Sequence, residues 1–115
     1  MRRAVNHLGQ FELYILLALA RLGDDAYGVS IRAEIETQLD RSVSHGAIYV
    51  TLDRLAERKY VTFWLSETRP VQGGRRRKHV RLTAAGRRAL IETATGLSNL
   101  LSGLDLAFAA SERKR

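Results

Sequence analysis

Past residue 60 the apolar residues of this chain change their spacing, and past residue 82 they change it back. Up to Leu55 they recur every three or four positions, the period of a helix that buries one face. Val61, Phe63 and Leu65 then alternate with Thr62, Trp64 and Ser66, and Val80 and Leu82 alternate with His79 and Arg81. That is the period of a half-buried strand. A chain of 115 residues has one modest core to share among these elements. It must fold as one domain, with its two strands joined as a hairpin.

Three helices are predicted before the switch. Over 8–22, Phe11, Ile15, Leu19 and Leu22 share a face, and Leu16 and Leu17 widen it until most of the helix must be covered. Gly23 supplies a stop. Asp24 and Asp25 offer an N-cap for a second helix over 26–39, with Tyr27, Ile31, Ile35 and Leu39 on one side and Arg32, Glu34 and Glu36 on the other. A short Asp40-Arg41-Ser42-Val43 connection leads to Ser44, the N-cap of a third helix over 45–59 whose buried line is Ile48, Leu52 and Leu55. The strands are joined by a Pro-Gly-Arg loop over 67–77, and Thr83 caps a last helix running to about residue 109.

Helix, helix, helix, strand, loop, strand, helix is the order of a winged helix-turn-helix. The fold class is therefore α+β, mostly α: a three-helix core, a two-stranded wing and a C-terminal dimerisation helix. Residues 1–82 form the DNA-binding region in this reading, 83–110 the dimerisation helix of the same compact domain, and 111–115 a charged tail.

Charge points to the partner. The net charge is +7, and eight of the nineteen Lys and Arg residues lie from Arg69 to Arg88 with no acidic residue between Glu67 and Glu92. The remaining eleven face twelve carboxylates, so the excess is local and centres on Gly73-Gly74-Arg75-Arg76-Arg77-Lys78. A glycine-hinged basic loop on a ribbon suits a phosphate backbone. With 45% hydrophobic and 27% charged residues the chain is globular, and without Cys it has no disulfide and no thiolate site. The longest apolar run, 13–20, is far too short to span a bilayer and no secretory leader is visible, so a cytoplasmic protein is expected. His7, His45 and His79 lie in separate elements without metal-ligand spacing, and no phosphate loop opens a helix. Neither an enzyme nor a cofactor is expected.

Double-stranded DNA would meet the third helix and the wing. Opposite its buried line lie Gly46 and Val50, where Val50 can pack on a thymine methyl while Gly46 admits close backbone approach. Ser44 and His45 stand at the helix N-terminus, Tyr49 can reach a phosphate through its hydroxyl, and Arg54 can reach the backbone one turn on. Asp53 marks the edge of the footprint. Arg75, Arg76, Arg77 and Lys78 belong over the minor groove or its phosphates, and a guanidinium from Arg81 on Trp64 would stiffen the outward strand face that both share with His79. The last helix carries Leu90, Ala94, Leu97, Leu101, Leu104 and Phe108, an a/d stripe that predicts pairing with a second copy. Gly96 and Gly103 would lie on that helix.

With these residues in place the chain resembles the PadR family of bacterial transcription regulators. The resemblance rests on Leu8-Gly9-Gln10-Phe11-Glu12, on Ala26-Tyr27-Gly28, on Ser44 through Leu55 with its small-Tyr-x-x-Leu-x-x-Leu pattern, and on Gly74-Arg75-Arg76-Arg77-Lys78 followed by Leu82-Thr83-Ala84-Ala85-Gly86. The single short last helix is similar to the compact branch. His79-Val80 stands where relatives carry an aromatic pair. The resemblance implies a repressor, relieved in some members by a small-molecule effector bound between the helices of the dimer. Two other readings stay open: a winged-helix protein-interaction module, which usually lacks a charged wing, and a sequence-indifferent DNA-coating protein, whose binding would follow salt alone.

Overall fold

The computed structural model describes residues 8–66 and 77–106. Within them the order is α1 (Gln10–Leu22), a 3-10 turn (Gly23–Asp25), α2 (Gly28–Leu39), α3 (His45–Glu57), β1 (Val61–Leu65), β2 (Lys78–Leu82) and α4 (Ala84–Leu101). Ile15 and Leu16 of α1, Ile31 of α2, and Ile48, Leu52 and Leu55 of α3 are fully buried, and Val61 and Val80 of the ribbon join the same core. Each such aliphatic side chain contributes about 1.5–3 kcal/mol by leaving water, so helices and ribbon depend on one another.

Polar contacts fix where the helices begin. The Gly9 N–H donates to the Glu12 carboxylate at 2.8 Å, and Arg58 reaches the same carboxylate at 3.1 Å, which ties the start of α1 to the end of α3. The helix therefore starts at Gln10 rather than at Leu8, which is buried ahead of it. Arg21 bonds Glu34 between α1 and α2, and hydrogen bonds from Gln38 and Arg21 hold the Glu34 carboxyl below its ordinary value. Ser44 caps α3 by accepting the Ala47 N–H at 3.1 Å, as the sequence predicts. Lys59 adopts a φ of 63°, so α3 stops at Glu57, two residues short of its predicted end.

Asp24 and Asp25 are not the cap of α2. They sit in the 3-10 turn, and the helix begins only after Tyr27, whose N–H donates to Ser30 Oγ at 3.0 Å. The intervening residues are drawn to the ribbon. Ala26 accepts the Val80 N–H at 2.8 Å, and Tyr27 forms an antiparallel bridge with His79. The ribbon itself pairs β1 with β2 antiparallel, Val61 opposite Leu82 and Leu65 opposite Lys78. Val61 and Val80 face the core, whereas Leu65 at the far end of β1 is exposed.

The last helix departs furthest from expectation. Its start is as predicted, with Thr83 accepting the Gly86 N–H at 3.0 Å, but it ends at Leu101 and Gly103 lies beyond it with a φ of 79°. Leu104 is thus off the helix, and Phe108 falls outside the described residues. Leu90 is buried in the core of its own chain, because the first turns of α4 lie against α1 and β2. The free part of the stripe is Ala94, Leu97 and Leu101.

Gly86 makes the joint between α4 and the ribbon. Thr83 donates its hydroxyl to the Lys59 carbonyl at 2.6 Å and its N–H to the Tyr60 carbonyl at 3.0 Å, drawing α4 onto the turn that leads into β1. A Cβ at Gly86 would overlap that Tyr60 carbonyl, which is main chain and cannot swing aside. Gly86→Ala is expected to destabilise by about 1–3 kcal/mol despite the higher helix propensity of Ala. Thermal denaturation should show a midpoint lower by several degrees, and an unchanged midpoint would refute the joint.

Candidate nucleic-acid interface

Helix α3 turns one side to the core and leaves the other bare. Ile48, Leu52 and Leu55 are buried as predicted, while His45, Gly46, Tyr49, Val50, Asp53 and Arg54 are exposed. Val50 keeps 54% of its surface and Tyr49 49%. A Cβ at Gly46 would meet no atom of the protein within 4 Å, so this face is open to close approach.

Tyr49 is the hinge between elements. A Cβ at Gly28 would overlap its hydroxyl and ring, so the second glycine-bearing motif, Ala26-Tyr27-Gly28, leaves room for a tyrosine from the next helix. A small hollow between them is lined by Gly28, Tyr49, Asp53, Phe63, Lys78 and Val80, which places the base of the ribbon beside α3. Tyr49 also lies near the His45 ring, 6.5 Å between centroids and 17° from parallel.

The basic residues divide. Arg75 and Arg76 lie outside the described residues. Arg77 donates its main-chain N–H to Ser66 Oγ and accepts the Ser66 N–H at its carbonyl, both at 2.9 Å, and lays its guanidinium 4.2 Å over the Tyr27 ring. Lys78 Nζ stands 4.1 Å from the Phe63 ring centre, so its stem and charge lean back toward the body. Arg81 lies 5.2 Å over Trp64, the contact predicted from the strand pattern. His79 shares their face but is not open to solvent: it stacks on Trp64 at 4.3 Å, meets the Tyr27 ring edge-on, and its Nδ1 is 2.9 Å from the Asp24 carbonyl. The segment ahead of α2 covers it, which alternation along a strand does not reveal.

Sequence reasoning assigned Arg32 and Glu36 to the solvent side of α2 and so missed the clamp they make. Arg32 Nε donates to the Val43 carbonyl at 2.6 Å, and Glu36 accepts the Val43 N–H at 2.8 Å. Both peptide groups of Val43, in the turn that sets α3 against α2, are thereby satisfied. Arg32 Nη1 also lies 2.6 Å from His45 Nε2. The available signal was the i, i+4 spacing of an Arg and a Glu beside a short turn. Among the described residues no group of three His, Asp or Glu side chains could hold a metal, and no helix is long and apolar enough to cross a membrane.

The profile of the PadR-like transcriptional regulators matches residues 15–92. The chain belongs to the PadR-like family. Its fold is similar to that of a PadR-like transcription factor from Bacteroides fragilis, at 26% identity and a TM-score of 0.67, covering 80% of this chain and 84% of that one. It is similar to H. salinarum RosR at 23% identity, with a TM-score of 0.68 over 96% and 92%. A winged-helix DNA-binding protein from STIV has 22% identity and a TM-score of 0.65 over 87% and 100%. No curated protein sequence matches.

In this PadR-like chain the Ala-Tyr-Gly motif and the small-Tyr-x-x-Leu-x-x-Leu motif of α3 meet at one contact, Gly28 against Tyr49. That contact is side chain against main chain, so it can relax where Gly86 cannot. Gly28→Ala is expected to cost less stability than Gly86→Ala and to displace the Tyr49 ring, read as a small shift in melting midpoint with altered Tyr49 ring resonances. Undisturbed Tyr49 resonances would show that Gly28 is not what seats it.

Proposed function

We propose that this chain is a sequence-specific DNA-binding repressor that acts as a homodimer on an inverted-repeat operator. The observation that carries this reading is the bare side of α3, where Gly46 is open and Val50 is 54% exposed. An apolar residue beside an unobstructed helix backbone is what a major-groove reader presents to a thymine methyl. Ser44, His45 and Tyr49 stand toward one end of this face and Arg54 toward the other, as phosphate or base partners. Arg77 and Lys78 carry the footprint to the ribbon, and Arg75 and Arg76 complete its basic run. The family supports regulation of transcription; relief by a small-molecule effector rests on the family resemblance alone.

The second copy has a place to bind. Leu13, Leu17, Ala94, Leu97, Ser98, Leu101 and Ser102 line an open groove of about 480 Å³ between α1 and α4. Leu17, Leu97 and Leu101 remain exposed there, an apolar cost that a second α4 would remove. A two-fold pair would set two α3 helices in successive major grooves, roughly 34 Å apart.

Selection from a random duplex library at physiological salt tests the reading. An enriched inverted repeat is the supporting outcome. Retention without enrichment favours sequence-indifferent coating, and no retention by folded protein favours an interaction module. Replacing Arg75, Arg76 and Arg77 together by Ala is expected to weaken binding to every duplex and to flatten the salt slope by about one for each Arg that meets a phosphate. Val50→Ala is expected to change sequence preference instead, read by repeating the selection, and Tyr49→Phe to weaken binding to every duplex alike. Should both variants recover the wild-type site with wild-type affinity, α3 is not the reading element.

A further inference from the structure

We propose that Arg32, a residue of α2, is a positioning residue for DNA recognition that acts through His45. The proposal rests on the function given above and deepens it. A guanidinium has only donors, so an Arg32 Nη1 lying 2.6 Å from His45 Nε2 requires that nitrogen to be the acceptor. With that bond made, the imidazole carries its proton on Nδ1. Nδ1 makes no hydrogen bond among the described residues, and the ring is exposed at the first position of α3, a turn ahead of Tyr49 and Val50. The result is one N–H donor at the head of α3, with no acceptor among the described residues.

The orientation is constrained from several sides. Arg32 is not free to turn away, because its Nε is committed to the Val43 carbonyl at 2.6 Å and lies 3.5 Å from Glu36. The His45 ring in turn lies nearly parallel to that of Tyr49, at 17°. Two acceptors on a duplex fit such a donor: a phosphate oxygen, or the N7 or O6 edge of a purine in the major groove. In both cases Arg32 contributes without touching DNA. It fixes which nitrogen of His45 carries the proton and where that N–H lies.

The test has two readouts on the full chain. Nitrogen-15 NMR of the imidazole in the free protein should show His45 as the Nδ1–H tautomer, and Arg32→Met should release it toward Nε2–H. A double-mutant cycle on the selected duplex then separates positioning from the clamp on Val43. Arg32→Met and His45→Ala should each weaken binding roughly tenfold, the worth of a charge-assisted or well-directed hydrogen bond. Arg32→Met should cost little more when His45 is already Ala. Additive losses would mean that Arg32 serves the turn alone, and an Nε2–H or doubly protonated His45 in the wild-type protein would overturn the proposal before any DNA is added. Loss of the His45 effect on duplexes carrying 7-deazapurines, or 2-aminopurine for guanine to remove O6, assigns the acceptor to a base, and its persistence on both assigns it to a phosphate. If the wild-type protein holds the Nδ1–H tautomer yet retains no duplex, the repressor reading falls and the DNA contact with it, while the Arg32–His45 bond stands.

Discussion

Val80 donates its backbone N–H to the Ala26 carbonyl at 2.8 Å, and through that bond the wing and the helix-turn-helix become one frame. A two-stranded ribbon alone is marginal in water. Here its second strand gains a partner on its other edge, and the core gains Val80. The bond holds Ala26 and Tyr27 extended, so α2 cannot start until Gly28. Tyr27 then lies over His79, Arg77 lies over Tyr27, and Gly28 comes under Tyr49. The base of the ribbon and α3 are thus set against the same three residues.

What could be read from the sequence was whatever obeys a period or a cap. The lines through Ile31, Ile48, Leu52 and Leu55, the register-bearing alternation of Val61 and Val80, and the caps at Ser44 and Thr83 all follow from local rules, and the folded chain keeps them. What could not be read depends on residues far apart in the chain. Asp24 and Asp25 have the chemistry of a cap, but a strand that arrives more than fifty residues later takes the segment after them. His79 alternates as an outward residue yet is 8% exposed, because Tyr27 and Trp64 close over it. Arg32 has the spacing of a solvent-side pair with Glu36 and is instead spent on the Val43 turn. Gly28 and Gly86 stood in recognisable motifs, but only the packing gives the reason: one admits a tyrosine and the other a carbonyl.

The last helix shows how a regular pattern can run past the structure that uses it. The spacing from Leu90 to Phe108 is uniform, yet it covers three situations. Leu90 serves the core of its own chain, Ala94, Leu97 and Leu101 line an open groove, and Leu104 follows a glycine with left-handed φ that the helix does not enter. The helical part of the stripe is thus rooted in the core of its own chain at Leu90 and leaves apolar side chains bare from Ala94 to Leu101.

The two halves of the proposed DNA-facing surface are held to different tolerances, and the difference matches the work proposed for each. Reading a base edge demands placement within a fraction of an ångström, since hydrogen bonds weaken steeply with misalignment. Around α3 placement is fixed at several points: Val43 is held at both its N–H and its carbonyl, Tyr49 is seated on a glycine, and α3 is rooted by three fully buried side chains. Attraction to phosphates falls off gently with distance and tolerates many geometries. In the proposed reading the basic run of the ribbon supplies that attraction, anchored where Arg77 rests on Tyr27. Precision thus lies in the helix-turn-helix and reach in the wing, and the Ala26–Val80 bond keeps the two in register.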